Sequence, residues 1–131
     1  SVFYLDLKSI FSDEEMKLRG KNILLITGIA NSTNIVDYTS ERAKIVKHLE
    51  YPDHYIYRDK DVKNILIEWN GIESEDKLIL TSEKDAVKLQ SFESEFKGVK
   101  LCYLPIEIIF QGENNFNEVI LNYVNESNFY N

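Results

Sequence analysis

Two histidines occur in the 131 residues of this chain, His48 and His54. His54 is the one placed for chemistry. It sits in "YPDHYIYRDKD", directly after Asp53. Imidazole has the side-chain pKa nearest neutral pH, which suits it to general-base work. A base of this kind needs an orienting partner, usually a carboxylate. Asp53 is adjacent, but neighbouring loop side chains often diverge, so the sequence leaves that pairing open. Two further polar clusters stand out. "TGIANST" contains Gly28 and Asn31, and "TSEKDAVK" contains Ser82, Lys84, Asp85 and Lys88. The chain has no GxxxxGK[ST] and no GxGxxG, so neither a P-loop nor a dinucleotide fingerprint is present. No His and Cys group has metal-ligand spacing, and no metal site is expected.

The elements that must position these clusters follow from periodicity. Val2 to Leu7 reads as a strand. "FSDEEMKL" carries Ser12 and Glu15 three apart, a capping box that predicts a short helix ending at Gly20. Lys21–Thr27 is a continuous apolar run of strand length, as for a strand buried on both faces. A short helix follows to about Arg42, with Ser32 or Thr33 as its cap. Ala43–Tyr51 is the next strand, and His48 within it reads as structural. Val62, Ile65, Leu66 and Trp69 share one helical face. Asp59 and Asp61 stand at its start, where the helix dipole favours negative charge, and Asn70-Gly71 closes it. Asp76–Thr81 is a strand, and "SEKDAVKLQSF" is a helix with Ser82 as cap. A fourth core strand in "GVKLCYLPIEIIF" breaks at Pro105. The run from Ile106 to Phe110 alternates, and a last helix spans about Asn115 to Asn125.

Strand and helix alternate at least three times. This predicts an α/β fold: a three-layer α/β/α arrangement with a mostly parallel sheet of about four strands. Val2–Leu7 and Ile106–Phe110 are expected to form a two-stranded antiparallel linker ribbon. In an open parallel sheet, ligands bind beyond the carboxyl ends of the strands. All three polar clusters fall there, which makes that edge the candidate site.

Each cluster also has a purely structural reading. Gly28 would permit a sharp turn, Glu83, Lys84 and Asp85 would be a solvated first turn, and Asp53 would cap a loop. Three functional classes therefore stay open beside an enzyme of the kind described next. One is a Rossmann-like phosphate- or nucleotide-binding module with "GIAN" as the anion turn. Another is a small metal-dependent phosphoesterase using Asp53 and His54. The third is an interaction domain.

Composition narrows the field. Hydrophobic residues make up 44% and charged residues 28%, as in ordinary globular domains. The formal net charge of −7 argues against this chain gripping nucleic acid or an anionic membrane surface. No apolar run approaches the roughly 20 residues that cross a bilayer. The lone Cys102 lies in an apolar run and reads as a small buried hydrophobe, consistent with a reducing cytosol. The opening Ser1-Val2-Phe3-Tyr4 is strand-like and lacks methionine, which suggests a domain taken from a longer protein.

Taken together, "ILLITGIAN", "YPDHYIYRDKD" and "ILTSEKDAVKL" resemble, in order and spacing, the C-terminal half of the tetraacyldisaccharide 4'-kinases. "YLPIEIIF" and the terminal helix fit as well, so the resemblance covers nearly the whole chain. It implies an ATP- and Mg-dependent enzyme that phosphorylates the 4'-hydroxyl of a lipid disaccharide 1-phosphate in lipid A biosynthesis, giving lipid IVA. It implies an N-terminal P-loop kinase domain as partner, holding the ATP and Mg sites and the membrane contact. The whole protein would be cytoplasmic and peripheral on the inner membrane. Residues 1–20 and 105–131 would be linker strands with a short and a terminal helix, and 21–104 the C-terminal domain. His54 matches a family histidine that pairs with an aspartate of the N-terminal domain to activate the sugar hydroxyl, and Asp53 matches its acidic neighbour. Gly28, Asn31, Ser82, Lys84, Asp85 and Lys88 match positions near substrate or phosphate. Tyr55 stands where the family often has a second histidine, Ser32 where it often has proline, and Ser82 where it often has threonine. This chain alone is expected to bind no cofactor and to be catalytically inert.

Overall fold

The computed structural model describes residues 7–11 and 15–105. Six strands and three helices follow in order. They are β1 (Leu7–Ser9), β2 (Glu15–Met16), β3 (Asn22–Thr27), α1 (Thr33–Ser40), β4 (Lys44–Glu50), α2 (Asp59–Gly71), β5 (Lys77–Ser82), α3 (Glu83–Leu89) and β6 (Leu101–Leu104). A single 3₁₀ turn, Gln90–Phe92, extends α3. The strands form one sheet in the order β2-β1-β6-β5-β3-β4. The four strands β6, β5, β3 and β4 run parallel. β1 and β2 add an antiparallel edge, with Ser9 opposite Cys102 and Leu7 opposite Met16.

The apolar runs dictate this order. "NILLIT" and "KLILTS" bury both faces, so β3 and β5 occupy the middle, with Leu25 opposite Leu80. Their side chains alternate between two cores. Leu25, Leu80 and Cys102 face Ile35 and Tyr38 of α1. Leu24, Ile26 and Ile79 face Val62, Ile65 and Trp69 of α2 and Leu89 of α3. The result is three layers with the sheet in the middle. β4, "KIVKHLE", has water along one side. Val46 and Lys47 are exposed, which suits an edge strand. His48 is structural: its Nε2 lies 2.8 Å from the Thr27 hydroxyl. Cys102 is fully buried.

One expected element is different. Ser12 of the expected capping box and the two residues after it lie outside the described residues, but Glu15, its other member, and Met16 are strand, not helix. Pairing with β1 satisfies their backbone, and Met16 and Leu18 pack against the α1-side core. Tertiary burial thus outweighs a weak local helix signal. Gly20 then turns the chain at a φ of +81°. In α3, Ala86 and Leu89 are buried, while Val87 is 66% exposed. The strand at Ile106–Phe110, the helix at Asn115–Asn125, the run before Leu7 and the ribbon they were expected to build lie outside the described residues.

Candidate functional site

The turn that carries His54 grows out of β4. The Tyr51 N–H donates to the Thr27 carbonyl at 2.7 Å, extending the pairing past the end of the strand. A β-turn then closes the Tyr55 N–H onto the Pro52 carbonyl at 3.2 Å. His54 is third in that turn. Its φ is +63°, the one positive value outside glycine among the described residues. That region costs a side-chain-bearing residue about 1–2 kcal/mol, so the surroundings must hold it there.

The holding groups are tyrosines. The rings of Tyr51, Tyr55 and Tyr57 cluster with centroids 4.7 to 5.4 Å apart. The Tyr55 hydroxyl donates to the Asp61 carboxylate at 2.9 Å, and the Asp61 carboxylate also accepts from the Arg58 N–H at 2.9 Å. The Tyr57 hydroxyl donates to Asp85 at 3.0 Å. Lys88 Nζ donates to the Tyr55 carbonyl at 3.0 Å. Burial, with the Asp85 charge second, raises the Tyr57 pKa far above the ordinary tyrosine range. Burial, then Asp61, raises Tyr51, and the hydrogen bond to Asp61 raises Tyr55. All three hydroxyls therefore stay protonated at neutral pH.

His54 points outward from this base. Its side chain is 75% exposed, and Nε2 lies 3.3 Å from Asp53 Oδ2. The other Asp53 oxygen lies 4.0 Å from Lys84 Nζ. The adjacent carboxylate does meet the imidazole, which the sequence left open. A depression of about 460 Å³ surrounds the group, lined by Pro52, Asp53, His54, Tyr55, Ile56, Arg58 and Lys60. A larger groove, about 730 Å³, lies elsewhere, between β1–β2 and the segment joining α3 to β6, and includes Phe11, Met16, Phe96 and Val99.

The eight expected site residues separate into layers. Asp53, His54 and the half-buried Lys84 form the surface cluster. Gly28, Ser82 and Asp85 lie beneath it and are buried. One Asp85 oxygen accepts from the Gly28 N–H at 2.9 Å and the Ser82 hydroxyl at 2.6 Å, and the other accepts from Tyr57. Ser82 in turn caps α3, accepting from the Asp85 N–H at 3.0 Å. Lys88 braces the tyrosine segment. Asn31 stands apart and exposed, its Oδ1 accepting from the Thr33 N–H at 2.9 Å at the start of α1. Asn31, not Ser32 or Thr33, supplies that side-chain hydrogen bond.

Gly28 is glycine for space. A Cβ there would meet Asp85 Oδ1 at 3.0 Å, the Tyr57 hydroxyl at 3.1 Å and the Pro52 carbonyl at 3.4 Å. Its N–H, which an anion-binding turn would offer to phosphate, is already bonded to Asp85. Tyr57, Tyr55 and Asp61 belong to the site although the sequence motifs assigned them no part in it. Their signal was present: two tyrosines two apart, and an aspartate at the third position of each following helix.

Among the described residues, no group of three or more His, Cys, Asp or Glu could hold a metal ion, and no helix is long and apolar enough to cross a membrane. No solved structure matches this chain. A sequence model of the tetraacyldisaccharide-1-P 4'-kinases matches residues 3–125. A tetraacyldisaccharide 4'-kinase of Bacteroides fragilis is 32% identical over 97% of this chain and 37% of its own length. One from Bacteroides thetaiotaomicron is 33% identical over 84% of the chain and 30% of its own length. One from Pelagibacter ubique is 30% identical over 84% and 33%. The chain thus spans about a third of the length of these relatives. With the family match covering most of its residues, the chain belongs to the tetraacyldisaccharide-1-P 4'-kinase family.

Proposed function

We propose that this chain is the C-terminal part of an ATP-dependent kinase that phosphorylates the 4'-hydroxyl of tetraacyldisaccharide 1-phosphate, a step of lipid A biosynthesis yielding lipid IVA. Residues 21–104 form its α/β/α body in this reading, and 1–20 and 105–131 link that body to an N-terminal P-loop domain. The whole enzyme would sit on the cytoplasmic face of the inner membrane, with its membrane contact in that other domain.

The observation that carries the reading is His54 itself, in a chain of this family. It is held in a left-handed turn, exposed, with Asp53 at 3.3 Å. Asp53 orients the imidazole through Nε2, leaving Nδ1 free to accept the proton of the sugar hydroxyl as the new bond to phosphorus forms. In this reading an aspartate from the N-terminal domain pairs with His54 when the two domains meet. ATP, bound with Mg, supplies the phosphoryl group. The described residues do not fit those groups: they contain no metal cluster, and the chain contains no GxxxxGK[ST]. This reading places both sites in the N-terminal domain. Phosphoryl transfer depends on positioning and charge neutralisation, so a base on a separate domain acts only when the domains close.

The test is His54→Ala in the full-length kinase. Turnover falls about 10²- to 10⁴-fold, the usual contribution of a general base, while ATP affinity holds. Unchanged turnover rejects the role of His54. Phosphorylation of the lipid disaccharide by the 131-residue chain alone would reject the two-part architecture.

A further inference from the structure

We propose that Asp85 and Asp61 are positioning residues that suspend the His54 turn between the starts of two helices, and that Asp85 makes no contact with substrate. The proposal rests on the reading of His54 given above.

The geometry is specific. Asp61 and Asp85 are each the third residue of their helices, α2 and α3. Both are buried, Asp85 completely and Asp61 to within 7%. Each accepts the hydroxyl of one tyrosine, Tyr55 or Tyr57, and these tyrosines stand two apart between the turn and α2. Both hydroxyls reach in to the helix starts, while Ile56 between them is 72% exposed. His54 directly precedes Tyr55 and is exposed like Ile56. The hydroxyl of Tyr55 and its carbonyl are both held, by Asp61 and by Lys88, so the residue next to His54 is fixed at both ends. Asp85 adds the Gly28 N–H and the Ser82 hydroxyl, which joins the ends of β3 and β5 to the same turn.

A carboxylate with no exposed surface and three donors already in place has no face for a ligand. What it can do is fix where its donors lie. A base must sit within hydrogen-bond reach of the proton it takes, and a misplacement of about 1 Å can lower turnover about 100-fold. Removing an inward anchor frees the turn to relax from its left-handed conformation and withdraws the imidazole from that position.

The experiment uses Asp85→Asn, Tyr57→Phe, Tyr55→Phe and the double Phe variant. In the 131-residue chain, backbone NMR order parameters are measured for residues 52–58 and for the β3 and β5 amides. The expected result is loss of order confined to the turn, largest in the double variant, with the core unchanged. In the full-length kinase, kcat falls about 10- to 100-fold while the KM for ATP holds, and the double variant combined with His54→Ala is no slower than His54→Ala alone. A merely structural role would lower the melting temperature but leave that kinetic split absent. Full order in the turn of the double variant overturns the proposal. So does a wild-type kcat in that variant when His54→Ala is strongly impaired. If His54→Ala keeps full turnover, the functional reading falls, and the order parameters alone decide whether the turn is suspended as described.

Discussion

The hydroxyl of Tyr57 and the carboxylate of Asp85 lie 3.0 Å apart, both buried, across 28 positions of sequence. This one bond ties the loop after β4 to the start of α3. It also explains why Gly28, on a third loop, has no room for a side chain.

The first consequence concerns Gly28→Ala. The new methyl would press on Asp85 Oδ1 and the Tyr57 hydroxyl at about the limit of contact. Overpacking of this kind costs about 1–3 kcal/mol. Urea unfolding of the variant is expected to show that loss at an unchanged m-value, with chemical-shift changes reaching Tyr57.

Asp85→Ala is expected to be worse. It leaves the Gly28 N–H and the Tyr57 hydroxyl buried without acceptors and removes the bond to Ser82. Each unsatisfied buried group costs about 1–3 kcal/mol. A total loss of about 3 kcal/mol or more should appear in denaturant melts, and Tyr57→Phe introduced alongside should recover part of it.

Alkaline pH offers a separate test. Burial and Asp85 raise the Tyr57 pKa in the folded chain. The unfolded tyrosine ionises near pH 10. Below that pH both states hold the proton and the stability is fully present. Above it the unfolded chain loses a proton that the folded chain keeps, so stability falls by about 1.4 kcal/mol per pH unit for this group. Tyr57→Phe should show a shallower alkaline limb in melts between pH 9.5 and 11. An identical slope would contradict the shift.

His54→Gly separates stability from turnover. Glycine adopts a φ of +63° without the side-chain penalty. The variant is expected to be more stable by about 1 kcal/mol, read from its denaturation midpoint, while the full-length kinase carrying it loses turnover. Reduced stability would show that the left-handed turn is not strained.

Much of this architecture was legible beforehand. "KNILLIT" announced a strand buried on both faces because it is continuously apolar, "DKLILT" announced a further strand, and the spacing of Val62, Ile65 and Trp69 announced the buried face of α2. Strand ends placed Gly28, His54 and Ser82 on one edge because parallel connections leave no other choice. What the sequence could not give was direction. Lys84 and Asp85 are neighbours on the first turn of α3, yet one reaches Asp53 at the surface and the other turns into the core. Only packing decides that. The same holds for Gly28, whose glycine reads as a turn requirement but answers to a carboxylate 57 positions later. The segment around Met16 misled for a related reason: a local capping pattern competed with pairing to β1, and the pairing also buried Leu18.

The spacing of the Asp85 bonds bears on the order in which the molecule assembles. Its partners Gly28 and Tyr57 stand 57 and 28 positions before it. Closing such loops is slow and follows the formation of local structure. A chain emerging from the ribosome has β3, β4 and the tyrosine segment well before it has Asp85. Until α3 docks, the turn hangs only from Asp61 through Tyr55, and His54 is less firmly kept in its left-handed conformation. The His54 turn is thus fully held only once α3 has docked, and a molecule without α3 in place presents this histidine loosely.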